Sequence, residues 1–432
     1  MVRQNVMPFK LKRTDEKITA RSGLALFAEF FEAMGVGRLV EKYMPRPRSG
    51  RGFGAISYIK SLCMSMYGGG ESIEDVREIR EDDSLREAAQ LEQIPSSSAT
   101  GDWIKREAER GGIEGMEKVN DEIAEELLSR DEQDDGYTLI IDPTIIEADK
   151  RDAKMSYLGI KGYRPVVATL KETPVVISYE FKEGNDNRGK LETVKKAVEK
   201  IPEGIKIKEV VLDGEYYCKD VIEYLEQREL RWSIAADKDE SVKELIKLIP
   251  EDEWKPFVAK DGIGTDREVA ETVHSMNKST IAFRLIVLRW GEKQLNLFKN
   301  TYHYHCIATN VIEESPQERV WSYNDRAHIE NHIKEIKCGF GMQKLPSGDF
   351  GGNALYFGIG ILTYNLFIAQ KHLVMPERWR SKTIKSIRWL LVEVGGKLIN
   401  HGRALTLKIA ASMEKYRIYL EMRRKTYELL LG

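Results

Sequence analysis

The chain has 432 residues, 42% of them hydrophobic, and a formal net charge of −2. This length exceeds one compact domain and predicts two or three, with enough apolar residues for a real core. The four cysteines are scattered and form no C-x-x-C pair, which excludes a recognisable zinc site or disulfide framework and favours a reducing compartment. The first residues are charged and contain no apolar run, so no secretory signal is expected and we predict a cytoplasmic protein.

The charges are unevenly distributed along the chain. Residues 376–432 hold 13 Lys and Arg against 5 Asp and Glu, and residues 1–22 hold six against two, so the middle of the chain is acidic. Basic ends are typical of a protein that binds a polyanion such as DNA. Solvated basic helix faces would give the same distribution, and both interpretations stay open on charge alone.

The N-terminal region, residues 1–130, is predicted to be a helical DNA-binding domain. Residues 18–110 show helical periodicity in short segments separated by polar breaks. The loop PRPRSGRGFG places Arg46, Arg48 and Arg51 where they could contact DNA. Helical modules of this size also mediate contacts between subunits, so DNA binding is one of two interpretations.

Beyond the acidic stretch 121–136 the pattern changes from helical to strand-like. The predicted order is three strands, a helix, a strand, a helix and a strand, over residues 137–149, 164–170, 173–184, 188–201, 208–214, 218–230 and 231–237. The first three strands can form an antiparallel meander, and the later ones alternate in the βα manner that produces parallel pairing. We therefore predict an α/β catalytic core over residues 131–237 and 311–375.

Residues 238–310 interrupt this alternation and predict a β-strand insertion. Strands are expected at 281–290, 294–299 and 302–310, in a separate small sheet. A helix is expected over about 317–340, followed by an apolar helix at 354–369 that is short for a membrane span, so no membrane partner is expected. Residues 376–432 are predicted to be a basic helical C-terminal region.

Three carboxylates are candidates for the chemistry. Asp142 and Asp213 end apolar strands, and strand ends of open α/β sheets are where ligands gather. With Glu330 they would form an all-oxygen set whose mutual repulsion favours a hard divalent cation, Mg²⁺ or Mn²⁺. Each residue also has a structural interpretation: an Asp-Pro turn, an Asp-Gly turn and an ion pair of Glu330 with Lys334.

Four functional side chains share one stripe of the predicted helix 317–340. Tyr323, Arg326, Glu330 and Lys337 are separated by three, four and seven residues, which is the spacing of one helix face. A neighbouring stripe of Ile and Phe residues is apolar and predicted to pack into a core. Charged groups beside a buried seam are costly, which indicates a function for them.

At this point the chain resembles the DDE transposases of bacterial insertion sequences. The spacing Tyr323-x2-Arg326-x3-Glu330-x6-Lys337 is similar to their Y-R-E-K signature, and two Asp-ended strands, a β-rich insertion and segments such as TYNLF also fit, over nearly the whole chain. The resemblance implies a ribonuclease-H-like mixed sheet flanked by helices, with helical N- and C-terminal regions. It also implies two Mg²⁺ ions per active site, with Mn²⁺ as a substitute.

The same resemblance implies a function and partners. The enzyme would cut the ends of its own element in double-stranded DNA and join the freed 3′-OH to target DNA, as a homodimer on the nucleoid. Asp142, Asp213 and Glu330 would be the catalytic acids and metal ligands. Arg326 and Lys337 would hold phosphates, and Tyr323 would contact the DNA backbone.

Some weaker candidates and two rival functions remain open. Trp290 could stack on a base that leaves the duplex, although a core position is the more common one for a Trp. Lys161, Arg164 and Lys190 could touch phosphates or be solvated loop charges. The triplet His303-Tyr304-His305 could belong to a tyrosine-nucleophile nickase, and a DNA-binding protein that has lost catalysis is the other alternative.

Overall fold

The structure, a computed structural model, describes residues 11–47, 52–131, 133–291, 302–402 and 404–431. The strands are β1 (Ile18–Thr19), β2 (Tyr137–Pro143), β3 (Ile146–Glu147), β4 (Lys154–Met155), β5 (Lys161–Tyr163), β6 (Val166–Leu170), β7 (Val176–Glu180), β8 (Ile207–Leu212), β9 (Trp232–Ala236), β10 (Lys255–Val258), β11 (Gly264–Ser275), β12 (Ala282–Gly291), β13 (Tyr302–Thr309), β14 (Gly396–His401) and β15 (Ala404–Ile409).

The helices are α1 (Gly23–Ala33), α2 (Val36–Tyr43), α3 (Ala55–Tyr67), α4 (Val76–Arg80), α5 (Asp83–Ala88), α6 (Ser97–Ala108), α7 (Gly112–Leu128), α8 (Lys190–Glu199), α9 (Lys219–Gln227), α10 (Glu240–Leu248), α11 (Pro316–Asn324), α12 (His328–Lys334), α13 (Phe350–Leu373), α14 (Ile384–Ile387) and α15 (Met413–Leu429). Single turns of 3₁₀ helix lie at Ile73–Asp75, Gly214–Tyr216, Glu251–Glu253, Asp325–Ala327 and Glu377–Trp379, and π turns at Glu335–Gly339 and Arg388–Val392.

A nine-stranded mixed sheet forms the centre of the fold, in the order β10-β11-β12-β13-β9-β8-β2-β6-β7. Strands β2, β6 and β7 pair antiparallel, as the meander predicted, and β8 joins β2 and β9 in parallel. Helices α8 and α9 make the crossovers to β8 and β9, which is the connection that parallel pairing requires. The mixed α/β sheet flanked by helices is therefore present.

Both faces of the central strands are covered, which explains their continuous apolar runs. Alternate residues of β2 face opposite cores: Leu139 and Ile141 lie in the large core around α13, whereas Ile140 packs with residues of α11 and α12. Helix α13 is buried along almost its whole length. Among the described helices it alone is long and apolar enough to cross a membrane by length and composition, and its apolar window lies entirely inside the fold.

The predicted separate sheet of the insertion is wrong. Strand β13 pairs antiparallel with β9, and β12, β11 and β10 follow it, so the insertion lengthens the central sheet by four strands. The edge of β9 would otherwise leave unpaired backbone groups, and β13 satisfies them. Residues 294–299 lie outside the described residues, and the helix α10 was not predicted.

The predicted continuous helix over 317–340 is interrupted twice. Helix α11 ends at Asn324, a 3₁₀ turn follows, and α12 passes into a π turn at Glu335. Asp325 and Arg326 of the first break bond to residues of the central strands and their ends. The Lys171 ammonium donates to Asp325 at 3.0 Å, and Arg326 donates to Asp142. These two contacts accompany the loss of regular helical geometry.

The C-terminal region is not purely helical, in contrast to the prediction. Strands β14 and β15 form a hairpin that pairs with β1. Helix α15 packs against α1, where Arg423 forms an ion pair with Glu29 at 2.7 Å. The first described elements, β1 and α1, therefore pack against the last ones, β14 and α15.

Candidate active site

Two of the predicted acids lie side by side at one edge of the central sheet. Strands β2 and β8 run parallel, and Ile141 stands opposite Leu212 in their register. Asp142 and Asp213 are the next residues of the two strands, at their carboxyl ends. The parallel pairing therefore places both carboxylates at the edge where ligands bind in open α/β sheets.

The environment of Asp142 is electrostatically unusual. The pKa of its carboxyl is raised to about 6, mainly by burial and in smaller part by the negative charges of Asp213 and Glu330. The guanidinium of Arg326 opposes this shift, since its Nη1 donates to Asp142 Oδ1 at 2.6 Å. Three acids thus share one electrostatic neighbourhood, and one cation partly compensates them.

The third acid, Glu330, extends from α12 and is exposed. Among the residues that the structure describes, no group of three or more His, Cys, Asp or Glu side chains lies close enough together to hold a metal ion. The oxygen-only donors fit a hard divalent cation chemically. In the geometry seen here, Asp142 instead uses an oxygen in its ion pair with Arg326.

Tyr323 and Lys337 are both fixed by the ends of the central strands. The Tyr323 hydroxyl donates to the backbone carbonyl of Leu212 at 3.0 Å, and its ring is 4% exposed. The Lys337 ammonium donates to the Ile145 carbonyl at 2.6 Å and to Thr144 Oγ1 at 3.3 Å, and burial lowers the pKa of Lys337. Tyr323 therefore anchors α11 beside Asp213, and its contact with DNA stays a prediction.

A cleft of about 530 Å³ opens next to this group. The loops that follow β2, β7 and β8 form it, and Asp213 and Lys337 stand in its wall. Its remaining lining includes Pro143, Thr144, Ile145, Tyr157, Leu158, Arg164, Asn185, Asn187 and Glu215. Asp213 therefore faces a space that can take a ligand directly beside the sheet edge.

Comparison with known proteins decides the family. A family model described as "Transposase DDE domain group 1" matches residues 5–428, nearly the whole chain. The chain belongs to the DDE transposases. The cryo-EM structure of a piggyBac transposase synaptic complex with hairpin DNA is similar at 12% identity and a TM-score of 0.49, covering 96% of this chain and 84% of that one. A search of curated proteins finds no match.

DDE transposases act on DNA and generally use divalent metal ions. In this transposase the predicted DNA contact Trp290 lies at the end of β12, on the same sheet edge as the acids. Strands β9 and β13 lie between β8 and β12, so Trp290 is not a direct neighbour of Asp213. The ring is half-buried, 5.7 Å from the His303 ring and 5.1 Å from the Arg267 guanidinium. Trp290 is thus neither a core residue nor a fully open one.

The remaining basic candidates are spread over the transposase. Arg46 is exposed after α2, and its carbonyl accepts a hydrogen bond from Arg110 at 2.7 Å. Arg48 and Arg51 lie outside the described residues. Arg164 is 5% exposed and pairs with Glu215 in the wall of the cleft, so it is not a solvated loop charge.

The rival chemistry of a tyrosine nucleophile is disfavoured by the surroundings of Tyr323. The ring of His305 lies 6.0 Å from that of Tyr323, which brings a histidine and a tyrosine together. However, the Tyr323 hydroxyl is bonded to a carbonyl, and burial raises the pKa of Tyr323 to about 12. A phenol held in this way is a poor nucleophile at neutral pH.

Proposed function

We propose that this transposase cuts the ends of its own insertion sequence and joins them to target DNA, with Asp142, Asp213 and Glu330 as catalytic acids. The observation that carries the proposal is the pair of carboxylates at the carboxyl ends of adjacent parallel strands, under the charge of Glu330. The order β7-β6-β2-β8-β9, antiparallel on one side of β2 and parallel on the other, supports a ribonuclease-H-like core.

The proposed reaction is two successive phosphoryl transfers. In the first, a water oxygen bonds to phosphorus at the element end, the bond from phosphorus to the 3′ oxygen breaks, and a 3′-OH and a 5′-phosphate are released. In the second, that 3′ oxygen bonds to a phosphorus of target DNA and displaces the 3′ oxygen of the target strand. The number of phosphodiester bonds is conserved in the second step, so no energy source is required.

Two divalent cations, Mg²⁺ or Mn²⁺, would neutralise the three carboxylates and lower the pKa of bound water. Asp142, Asp213 and Glu330 would hold these ions. For this, Arg326 must release Asp142, and its planar guanidinium is then free to bind a phosphate of the scissile strand. Lys337 would bind a neighbouring phosphate as a point charge, since its ammonium has three donors and two are used.

The proposal also assigns partners and regions. The double-stranded ends of the element and the target are the DNA partners, and two ends require at least a homodimer in the active complex. We propose that the helical region 1–130 recognises the ends, that the basic region 376–432 assists in pairing them, and that the protein works in the cytoplasm on the nucleoid. The excess of 13 basic over 5 acidic residues in 376–432 supports contact with a polyanion.

The test uses a DNA fragment that carries the gene of this protein with its natural flanks. The purified protein is incubated with it in Mg²⁺ or Mn²⁺, and the cut positions are mapped. We expect cleavage at two defined flanking positions and no protein left on the DNA. Asp142→Asn, Asp213→Asn and Glu330→Gln should each lower the cleavage rate by at least about a hundredfold.

Matched controls separate chemistry from folding. Asp252→Asn and Glu244→Gln remove exposed acids outside the site and should leave the cleavage rate unchanged. Protein attached covalently to a DNA end would instead support a tyrosine nucleophile. Binding without cleavage in either metal ion would leave a DNA-binding protein that has lost catalysis.

A further inference from the structure

An apolar pair stands on the rim of the cleft beside the catalytic acids. Tyr157 is 78% exposed and Leu158 is 58% exposed, at the tip of the small sheet β3-β5-β4. Tight turns usually carry Gly, Asn, Asp or Ser, so two large apolar side chains in water here are costly. The proposed roles of the acids, Arg326 and Lys337 do not use them.

The turn that carries this pair is rigid. The Ser156 amide donates to the Ile160 carbonyl at 2.8 Å, and the Gly159 amide donates to the Ser156 carbonyl at 3.0 Å. Gly159 has φ of +72°, which suits glycine. The sheet below is held close to the loop after β7, since a Cβ on Gly184 would lie 2.5 Å from the Lys154 carbonyl oxygen. The ring of Tyr157 is therefore presented from a fixed backbone.

The cleft combines the groups that recognise a single nucleotide. Tyr157 offers an aromatic face for a base, the exposed amides of Asn185 and Asn187 can hydrogen-bond base edges, and the Lys337 ammonium can bind a phosphate. A volume of about 530 Å³ lies in the range of small-ligand sites. An apolar peptide would leave the Lys337 and Asp213 charges without partners.

We propose that this cleft binds one unpaired nucleotide of the DNA strand next to the scissile phosphate, with Tyr157 stacking on its base. The inference rests on the proposed function for the identity of the strand. Its geometry does not depend on that function, because the cleft joins an aromatic rim to the acid-bearing sheet edge. Tyr157 is accordingly a positioning residue, which holds the strand while the acids act.

The experiment uses two short DNA duplexes, one blunt and one with a single-stranded overhang that carries a fluorescent adenine analogue quenched by stacking. Binding and fluorescence are measured for the full chain and for Tyr157→Ala, Tyr157→Phe and Leu248→Ala. Leu248 on α10 is a matched control, because it is 76% exposed, does not line the cleft and lies outside the regions proposed to bind DNA. Thermal unfolding of each variant checks the fold.

We expect quenching by the wild type and an affinity for the overhang duplex that falls about tenfold in Tyr157→Ala. The blunt duplex should bind wild type and Tyr157→Ala equally, and Tyr157→Phe and Leu248→Ala should behave as wild type. Equal quenching and affinity in wild type and Tyr157→Ala would overturn the inference, as would a wild type that does not prefer the overhang. If the wild type cuts the genomic fragment but shows no Tyr157-dependent quenching, nucleotide binding in the cleft is refuted and the proposed function is not. If quenching depends on Tyr157 but no cutting occurs, the proposed function is refuted and nucleotide binding in the cleft is not.

Discussion

At the scale of single residues, Arg326 balances the charge of the site. Its guanidinium donates to Asp142 and lies 6.0 Å from the centre of the Tyr323 ring. A charge-assisted bond of this kind is stronger than a neutral one, and it occupies one of the two Asp142 oxygens. If a divalent cation joins the acids as proposed, it would compete with Arg326 for Asp142.

Removing the guanidinium should move two properties in opposite directions. In Arg326→Gln we expect Mn²⁺ to bind a few-fold more tightly, up to about tenfold, because one charge-assisted hydrogen bond no longer competes. Strand cleavage should fall by at least about tenfold, because the phosphate contact is lost. Calorimetry with Mn²⁺ and a cleavage assay measure the two effects. Equal Mn²⁺ affinity in Arg326→Gln and wild type would contradict the competition.

Tyr323→Phe tests whether that residue anchors α11 or contacts DNA. The change removes only the hydroxyl that donates to the Leu212 carbonyl, so we expect a loss of roughly 1 kcal/mol in the free energy of unfolding. Affinity for a duplex should stay within about twofold, since an anchoring group makes no DNA contact. Thermal unfolding and duplex titration separate the cases. Unchanged stability with a large loss of affinity would restore the direct DNA contact.

At the scale of elements, the π turn at Glu335–Gly339 connects the active site to the rest of the fold. Arg388 lies half-buried beside it and donates to the carbonyls of Met66 and Gly339 at 2.6 Å and of Tyr67 at 2.8 Å. Burial lowers the pKa of Arg388 to about 10. One side chain therefore joins the end of α3 to the turn that carries Lys337.

Arg388→Ala should be strongly destabilising. It leaves three partly buried carbonyls without their donor, and we expect a loss of about 3 kcal/mol in the free energy of unfolding. Arg423→Ala, on an exposed ion pair with Glu29, is the comparison and should cost about 1 kcal/mol or less. Thermal unfolding of the two variants gives the order, and a similar loss in both would show that Arg388 is not a structural link.

Glu335 gives the same element a pH dependence. Its carboxylate accepts the Ile384 amide at 2.6 Å, but burial dominates and raises the pKa of Glu335. For an acid with a raised pKa the folded state binds the proton more tightly. Its contribution to stability is therefore complete below about pH 4, near the unfolded pKa, and is lost as pH rises through the folded value.

The comparison of wild type with Glu335→Gln measures this effect. The stability of wild type relative to the variant should fall as pH rises from about 4 to 7. Thermal unfolding over that range follows it, with Glu244→Gln, an exposed change on α10, as the control. A difference that is constant with pH would exclude Glu335 as the titrating group.

At the scale of the whole molecule, the C-terminal helix α15 packs on the large core. The buried residues Tyr419 and Met422 lie on the side of α15 that packs into the large core, and the Tyr419 hydroxyl donates to the Leu391 carbonyl. The basic region therefore presents its charges from a fixed scaffold.

Tyr419→Ala should accordingly destabilise the whole protein. Truncating a buried aromatic ring costs about 3–5 kcal/mol through lost burial and the cavity left behind. Tyr427→Ala is the matched control on the same helix, because that ring is 62% exposed and should cost little. Thermal unfolding and limited proteolysis compare them, and equal stability of the two variants would mean that α15 is not packed on the core.

Local patterns were sufficient for the central strands and for their acids. The apolar runs that end in Asp142 and Asp213 and the helical periods between them predict the meander and the βα alternation. The reason is that burial on both faces and crossover helices leave their marks within a few residues of the chain. The same holds for α13, whose apolar run reflects a position inside the core.

Contacts between distant residues decided the rest. The pairing of β13 with β9, which merges the insertion with the central sheet, joins residues about seventy positions apart and has no local signature. The same is true of the hydroxyl of Tyr323 on Leu212, of Arg326 on Asp142 and of the buried pair Arg164–Glu215. By itself the sequence determined the central strands from β2 to β9 that carry Asp142 and Asp213. Only the tertiary structure decided that Arg326 contacts Asp142 and that Tyr157 lies on the rim of the cleft. The reason is that the choice of partner depends on packing between distant segments.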